Sequence, residues 1–286
     1  MRVGELLRRV TAQLTAAGCD SPDFDAVCLL EDIGGVPRGR VPSWQEQELS
    51  SDKAEAVEKA AAERAGGRPL QYILGEWEFL DLILKVGEGV LIPRPDTEVL
   101  CETAAKALRG TFPDEPMLAV LDLCAGTGCV GLGVASLCPG VIPTCVELSE
   151  EAWPYLTANL ERYACFGGMA LKADVLRSPV PETAYHALLS NPPYIPTGDI
   201  PGLMREVQHE PPMALDGSAD GLLFYRAITA RWLSCLLPGG ICAVEVGIGQ
   251  ADAVAALFAA AGLENVECIP DLGGIRRVVK GQKPRI

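Results

Sequence analysis

Histidine is almost missing from this chain: there are two in 286 residues, His186 and His209. That removes most nucleophilic and metal-based chemistry at the outset. A Ser/His/Asp or Cys/His arrangement needs a histidine beside its nucleophile, and catalytic zinc usually draws on several. Neither histidine has a partner at such a spacing, so no metal site is expected. His186 lies in the run leading to Asn191 and is expected to point at a helix; His209 falls in a proline-rich loop. A basic excess is lacking too. Lys and Arg total 24 against 38 Asp and Glu, a net charge of −14. A surface that grips phosphate backbones needs the opposite sign, so no direct nucleic-acid binding is expected. No stretch approaches the roughly 18 uninterrupted apolar residues of a membrane span. The start, Met1 to Arg9, mixes charged and apolar residues and lacks a signal-peptide core. The expected location is cytoplasmic. CxxC spacing is absent as well, although there are 11 cysteines. Cys19, Cys28, Cys124, Cys129 and Cys145 sit in or beside apolar stretches and read as small buried hydrophobes in a reducing compartment. Internal repeats and low-complexity tracts are missing.

What is present is a globular composition, 49% apolar and 22% charged, long enough for one large domain or two smaller ones. Residues 1 to about 65 read as a small helical bundle. Leu6, Leu7, Val10 and Leu14 recur at helical spacing, with Gly18 as a C-cap. Ser21-Pro22 restarts a helix as N-cap and first turn, with Phe24, Val27, Cys28 and Leu30 on its apolar face. A third helix is expected over Trp44 to Arg64, broken by Gly66-Gly67-Arg68-Pro69. Glu76–Phe79 and Leu82–Val86 then suggest a β-hairpin. From Met117 onward, short apolar runs alternate with helical stretches. Strands are expected at 118–123, 141–146, 169–171, 187–190, 241–246 and 277–280, with helices at 150–163, 222–236 and 250–261. This alternation means an α/β sheet with helices on both faces, and ligands bind such sheets at the carboxyl ends of the strands.

Two of those strand ends carry the chemistry. One run closes in Asp122-Leu123-Cys124-Ala125-Gly126-Thr127-Gly128, where Gly126 and Gly128 permit a tight turn and close approach of backbone to a ligand. A GxG alone is weak evidence. Glu147 strengthens it, standing 19 residues after Gly128 at the end of the next run, where a carboxylate can accept ribose hydroxyls. Val130, ahead of Gly131, is taken as breaking the dinucleotide fingerprint, which favours a nucleoside without a pyrophosphate. Asp174, followed by Val175, could accept from an adenine amino group, though a loop-capping role fits nearly as well. The second strand end is Asn191-Pro192-Pro193-Tyr194. Two prolines remove backbone donors, leaving carbonyl acceptors and the Asn191 side-chain oxygen to hold both hydrogens of a planar NH2 group. Tyr194 adds a flat face for stacking. Holding the nitrogen so that its lone pair meets a sulfonium methyl needs no strong base, and orientation can recover roughly 7–11 kcal/mol of the barrier. A rigid turn ending a strand is the bland alternative, but its place downstream of the glycine loop favours methyl transfer from S-adenosyl-L-methionine to an amino nitrogen.

With these residues in place the chain resembles the release-factor glutamine methyltransferases, the HemK/PrmC family, over essentially its whole length. The marks are Gln71-Tyr72-Ile73-Leu74-Gly75 with Phe79, and Leu91-Ile92-Pro93-Arg94-Pro95-Asp96-Thr97-Glu98. The glycine loop, Ser190 to Pro196, Glu210-Pro211 with Ala214 to Gly217, and Asp271 to Gly274 with Arg276-Arg277 complete them. The resemblance implies an α/β fold: a Rossmann-like, seven-stranded methyltransferase domain over 93–286, an N-terminal helical docking domain over 1–69 and a β-hairpin linker over 70–92. It implies methylation of the side-chain amide nitrogen, N5, of the glutamine in the Gly-Gly-Gln motif of peptide chain release factors, with S-adenosyl-L-homocysteine as product. The cofactor loop maps to Cys124, Ala125, Gly126, Thr127 and Gly128, the ribose acid to Glu147, the adenine contact to Asp174 and Val175, and the glutamine clamp to Asn191, Pro192, Pro193 and Tyr194. Asn191 serves cofactor and substrate; Asn191, Pro192 and Tyr194 form the catalytic set. A monomer with a protein substrate and no membrane partner is expected. Cys124 and Ala125 replace the usual Gly-Thr pair, Glu147 an Asp, and His186 an acidic residue. Cys124 is therefore expected to have an ordinary backbone conformation. The rival is an N6-adenine or N2-guanine nucleic-acid methyltransferase with the same clamp. It would want a basic appended domain, whereas residues 1–85 carry 15 acidic against 10 basic side chains.

Overall fold

The computed structural model describes residues 1–285. They divide into two compact units, one of residues 1–76 with 204–209, the other of residues 77–203 with 210–286. The helical unit holds α1 (Val3–Ala16), α2 (Pro22–Asp32), α3 (Ser51–Ala65) and α4 (Leu70–Leu74). α1 buries Val3, Leu6, Val10 and Leu14. It ends as expected at Gly18, whose φ is +75°. There the Gly18 and Cys19 N–H groups donate to the carbonyls of Thr15 and Leu14 at 3.0 and 3.1 Å, the paired bonds of a Schellman stop. Ser21 and Pro22 do open α2, but its buried face is Asp25, Ala26, Leu29 and Leu30; Phe24 is exposed. A buried acid explains the rotation. Asp25 accepts from Arg64 Nε at 2.6 Å, and Arg64 Nη2 reaches Glu206 at 2.5 Å, so the inward face is built around an ion pair. α3 starts at Ser51, later than expected, because Ser50 caps it by accepting from the Lys53 N–H at 3.4 Å. Residues 70–74, expected in the linker, form α4 within this unit, and Gly75 ends it in the left-handed region.

The hairpin is β1 (Glu76–Phe79) paired with β2 (Leu82–Lys85), and the division between units falls inside β1. The rest of the larger unit comprises α5 (Pro95–Thr111), β3 (Leu118–Leu123), α6 (Cys129–Leu137), β4 (Val141–Glu147), α7 (Trp153–Arg162), β5 (Met169–Lys172) and β6 (Tyr185–Ser190). After these come α8 (Pro212–Leu215), α9 (Leu223–Arg231), β7 (Leu236–Glu245), α10 (Ala251–Ala260), β8 (Glu264–Pro270) and β9 (Arg276–Gln282). β3 to β9 form one seven-stranded sheet, in the order β5-β4-β3-β6-β7-β9-β8. Only β9 breaks the parallel run, pairing antiparallel with β7 and β8. Alternate side chains feed opposite cores. Leu118 and Val120 of β3, with Ala187 and Leu189 of β6, pack with α5, α6 and α7. Leu121, Leu123, Leu188 and Val244 pack with Tyr225, Trp232 and Phe258 from the α9–α10 side. Strands covered on both faces read as continuous apolar runs, which is why β3, β4 and β6 stand out in the sequence. β8 does not, and it was not expected. As an edge strand it carries Glu264, Glu267 and Pro270, residues that blunt an edge against further pairing and hide the apolar pattern.

The order reverses between β3 and β6, which lead to neighbours on opposite sides. Leu123 pairs with Ser190 at their carboxyl ends. The glycine loop and the Asn-Pro-Pro-Tyr segment therefore emerge side by side at the switch point, where open α/β sheets bind ligands.

Candidate functional site

The loop after β3 takes its shape from three positive φ angles: Cys124 at +60°, Gly126 at +55° and Gly128 at +82°. The expectation that Cys124 is ordinary is thus overturned. Its neighbour is held in place, the Ala125 N–H donating to Val146 O at 2.9 Å on β4, and this ladder bond imposes the left-handed turn at residue 124 whatever its side chain. Such a conformation costs a side-chain-bearing residue about 1–2 kcal/mol. Gly128 ends the loop as N-cap of α6; a Cβ there would stand 2.9 Å from Leu156 Cδ1.

A second correction concerns Gly131. Gly126, Gly128 and Gly131 do have GxGxxG spacing, and Gly131 does the third glycine's work. A Cβ on it would meet Cys145 Sγ at 2.9 Å and Pro143 Cβ at 3.0 Å, so α6 rests directly on β4. Spacing therefore does not separate a dinucleotide from a nucleoside; charge does. The Gly131 N–H, one of the helix-start donors that a phosphate would use, donates instead to Asp122 Oδ2 at 2.9 Å. Burial pushes the Asp122 carboxyl up to about 7, the Gly131 bond pulls it down and Glu147 pushes it up. Glu147, which lines the cavity beside the loop, disfavours a polyanion and suits a cation.

Glu147 ends β4 and is buried, not the solvated helix neighbour that would have made it inert. Its Oε2 accepts from the Gly126 N–H at 2.8 Å. Oε1 accepts from Leu148 and Ser149 N–H at 2.8 and 2.7 Å. A carboxylate has about four acceptor positions, so one, on Oε2, remains. Asp174 caps its own loop as well as lining the cavity: Oδ1 accepts from Leu176 N–H at 2.8 Å. That loop is held from behind by α9 and the turn after it. Trp232 Nε1 donates to Val175 O at 2.8 Å, Arg231 Nη2 donates to Ser178 O at 2.6 Å, and Arg231 Nη1 donates to Leu176 O.

A cavity of about 340 Å³ joins these pieces. Of the residues expected from sequence, Cys124, Ala125, Gly126, Thr127, Glu147, Asp174, Val175, Asn191 and Pro193 line it. Gly128, Pro192 and Tyr194 are not among its lining residues. Tyr194 is turned so that its hydroxyl donates to Glu245 Oε1 at 3.3 Å, and burial together with Glu245 pushes its phenol well above the usual range. Its carbonyl accepts from Gln250 Nε2 at 2.8 Å, and the Ile195 carbonyl from Gly217 N–H at 2.8 Å. Gly217 passes so close that a Cβ would stand 2.8 Å from Tyr194 Cα, which accounts for the glycine in Ala214 to Gly217. His186 lies outside the site. Its Nδ1 accepts from the Ala119 N–H at 3.0 Å and its ring meets Phe112 edge-on at the end of α5. The acceptor expected of an acid at this position is supplied by the imidazole.

Sequence reasoning missed how the segment Leu91 to Glu98 contributes. Val90 to Arg94 wall the cavity. Ile92 N–H donates to Glu210 Oε2 at 3.0 Å and Arg94 pairs with Glu210 Oε1. Asp96 meets Arg277 at 3.0 Å, and Arg277 also holds Asp271 at 3.0 Å. Thr97, buried in the first turn of α5, accepts from Asn191 Nδ2 at 3.1 Å. Arg94, Thr97, Glu210 and Arg277 were all marked in the motifs; a set of polar residues with no periodicity of their own was the available signal. Glu245 was not marked, because it reads as the end of an apolar strand. Among the described residues no group of three His, Cys, Asp or Glu could hold a metal ion, and no helix is long and apolar enough to cross a membrane.

Two family models match the chain. Residues 5–75 match the PrmC N-terminal domain family and residues 99–210 the methyltransferase small domain family. A release factor glutamine methyltransferase of Caulobacter vibrioides is 36% identical over 272 residues, covering 95% of this chain and 93% of its own. One of Gloeobacter violaceus is 39% identical over 268 residues, covering 90% of each. Among solved structures, the hMettl16 catalytic domain in complex with MAT2A 3′UTR hairpin 6 superposes with a TM-score of 0.55. It is 12% identical, with 84% of this chain and 85% of that one covered, a likeness of fold alone.

Proposed function

From the premise that this chain belongs to the release factor glutamine methyltransferase family, we propose that it methylates N5 of the glutamine in the Gly-Gly-Gln motif of peptide chain release factors. It is an S-adenosylmethionine-dependent protein methyltransferase. The nucleic-acid alternative is not favoured by these relatives. One observation carries the site assignment: the glycine loop and the Asn-Pro-Pro-Tyr segment open into one cavity with Glu147 between strand and loop.

The cavity suits the cofactor. Its remaining Glu147 acceptor position fits a ribose hydroxyl, and Asp174-Val175 fit an adenine edge. The acids that line the cavity, Glu147 and Asp174, favour a sulfonium and an amino-acid ammonium over a pyrophosphate. When bound, S-adenosylmethionine supplies an electrophilic methyl whose leaving group is a neutral thioether. The chain supplies orientation. With the Tyr194 and Ile195 carbonyls engaged elsewhere, Asn191 Oδ1 and a proline carbonyl of the clamp are the acceptors for the two glutamine N–H groups. Held in this way, the nitrogen lone pair faces the methyl carbon. As the new N–C bond forms, positive charge builds on nitrogen, and these same oxygens stabilise it. One N–H proton then leaves to solvent, so no buried base is needed.

The helical unit is assigned to docking. With a net charge of −14 the protein steers toward a basic surface, an attraction that weakens with salt. A short peptide lacks those remote contacts. The test compares intact release factor, a Gly-Gly-Gln peptide and duplex DNA as acceptors of labelled methyl across a salt series. Strong labelling of the factor, weak labelling of the peptide and none of DNA is expected. Preferential labelling of DNA would overturn the proposal; equal labelling of peptide and factor would remove the docking role. Cytoplasmic location and a monomeric state belong to the same proposal.

A further inference from the structure

Two apolar side chains stand out into solvent along the sheet edge from which the clamp emerges. Leu272 is fully exposed, and Ile248 is 72% exposed. Each sits on a short turn that is held stiff. In the turn after β8, the Asp271 N–H donates to Ile275 O at 2.8 Å and the Ile275 N–H donates to Asp271 Oδ1 at 2.9 Å. Asp271 Oδ2 then meets Arg277 Nε at 3.0 Å, and Arg277 Nη2 meets Asp96 at 3.0 Å in the first turn of α5. The next residue, Thr97, is the one that Asn191 touches. Ile248 lies in the turn after β7, where the Gln250 N–H donates to Gly247 O at 3.1 Å and the Gly247 N–H donates to Gln250 Oε1 at 3.0 Å. Gln250 Nε2 donates to the Tyr194 carbonyl at 2.8 Å. The two turns are neighbours, because the Val246 N–H donates to Arg277 O at 2.8 Å. One apolar tip is thus braced toward each end of the clamp.

A single exposed apolar side chain is ordinary on a protein surface. Two on adjoining braced turns form a prearranged contact, since turns that are already ordered lose little freedom on binding. The charges around them neutralise one another: Arg277 is held by Asp96 and Asp271, and Arg276 by both oxygens of Asp252 at 2.6 Å. An apolar centre within a polar rim is the anatomy of a protein–protein contact. We propose that Leu272 and Ile248 form a docking surface for the protein that carries the target glutamine, seated against an apolar patch beside its Gly-Gly-Gln loop. This rests on reading Asn191 to Tyr194 as an amide clamp. Size supports the assignment. A stable partner covers about 800 Å² on each side, a patch roughly 30 Å across. β9 lies two strands from β6, about 10 Å at the usual strand spacing. A folded partner whose glutamine reaches Asn191 therefore covers both tips as well. Contact made by apolar burial also resists salt, unlike steering by net charge.

The experiment measures kcat and KM on intact release factor and on a Gly-Gly-Gln peptide, for wild type, Leu272→Ala, Ile248→Ala and Leu272→Glu. Calorimetry gives cofactor affinity, and sedimentation gives the oligomeric state. Both side chains are exposed, so the variants keep the fold. Each alanine variant should raise KM for the intact factor roughly tenfold, as for the lost burial of one large aliphatic side chain, with kcat little changed. Leu272→Glu should raise it further, because the contact would then bury a charge. Constants on the peptide and cofactor affinity should stay at wild-type values. An unchanged KM for the factor in all three variants would overturn the docking surface and leave the clamp standing. An equal loss on the peptide would overturn it too, by showing that the turns shape the clamp instead of holding a partner. A wild-type dimer dissolved by Leu272→Glu would give the surface to a second copy of the chain and likewise overturn the proposal. A wild type that labels no release factor glutamine would overturn the clamp, and this inference with it.

Discussion

Replacing Glu147 with alanine should weaken S-adenosylmethionine binding roughly 10- to 150-fold, the equivalent of one charge-assisted hydrogen bond at about 1.5–3 kcal/mol. One bond rather than two follows from the geometry. Three of the carboxylate's acceptor positions are already filled by the N–H groups of Gly126, Leu148 and Ser149, and the fourth can take a single ribose hydroxyl. The same three bonds make the variants informative. Glu147→Gln can keep an oxygen toward Leu148 and Ser149 only by turning its NH2 toward the Gly126 N–H, donor against donor. It should therefore bind cofactor no better than Glu147→Ala. Glu147→Asp retains the charge one methylene shorter and should bind between these and wild type. Isothermal titration calorimetry with S-adenosylmethionine and its demethylated product measures each affinity, and circular dichroism confirms the fold. Unchanged affinity in a folded Glu147→Ala protein would refute the ribose assignment.

Asn191→Ala should lower kcat by roughly 10²–10³ while cofactor binding is retained, since it removes an acceptor aimed at the transition state; single-turnover kinetics with calorimetry would show it, and near-normal turnover would sink the clamp. Cys124→Gly should change unfolding free energy by no more than about 1 kcal/mol, because relief at φ +60° is offset by the flexibility of the unfolded glycine. Cys124→Val should be clearly destabilised, and urea titrations that rank the two alike would contradict the imposed turn. Asp122 has its carboxyl raised by burial from 3.8 to about 7, so the folded protein keeps a proton that the unfolded chain has already released. The stability this contributes is present below about pH 4 and is lost as pH rises through 7, at up to about 1.4 kcal/mol per unit. Wild type should therefore lose ground against Asp122→Asn between pH 5 and 7.5 in urea unfolding; a pH-independent difference would refute it.

Those residues also mark how far the sequence could be read. β3, β4 and β6 were legible because burial on both faces makes them unbroken apolar runs. The two loops at the switch point were legible because clustered glycines and prolines set them apart, and the glycines there do take positive φ. β8 was hidden by the charges that protect an edge, and the buried face of α2 by the Asp25–Arg64 pair. Positive φ at Cys124 left no trace, since a neighbour's ladder bond imposes it. Polar contacts such as Asn191–Thr97 join residues far apart in sequence, here by 94 positions, and no local pattern reports them. Gly131 is a different case: its spacing was readable, and the structure supplied the reason it matters.

The most direct test of the central claim is tandem mass spectrometry of an intact release factor incubated with this protein and isotope-labelled S-adenosylmethionine. One labelled methyl on the side-chain nitrogen of the Gly-Gly-Gln glutamine, absent when Asn191→Ala replaces wild type, is the predicted result. A release factor left unmodified, or a methyl carried on any other residue, would contradict it.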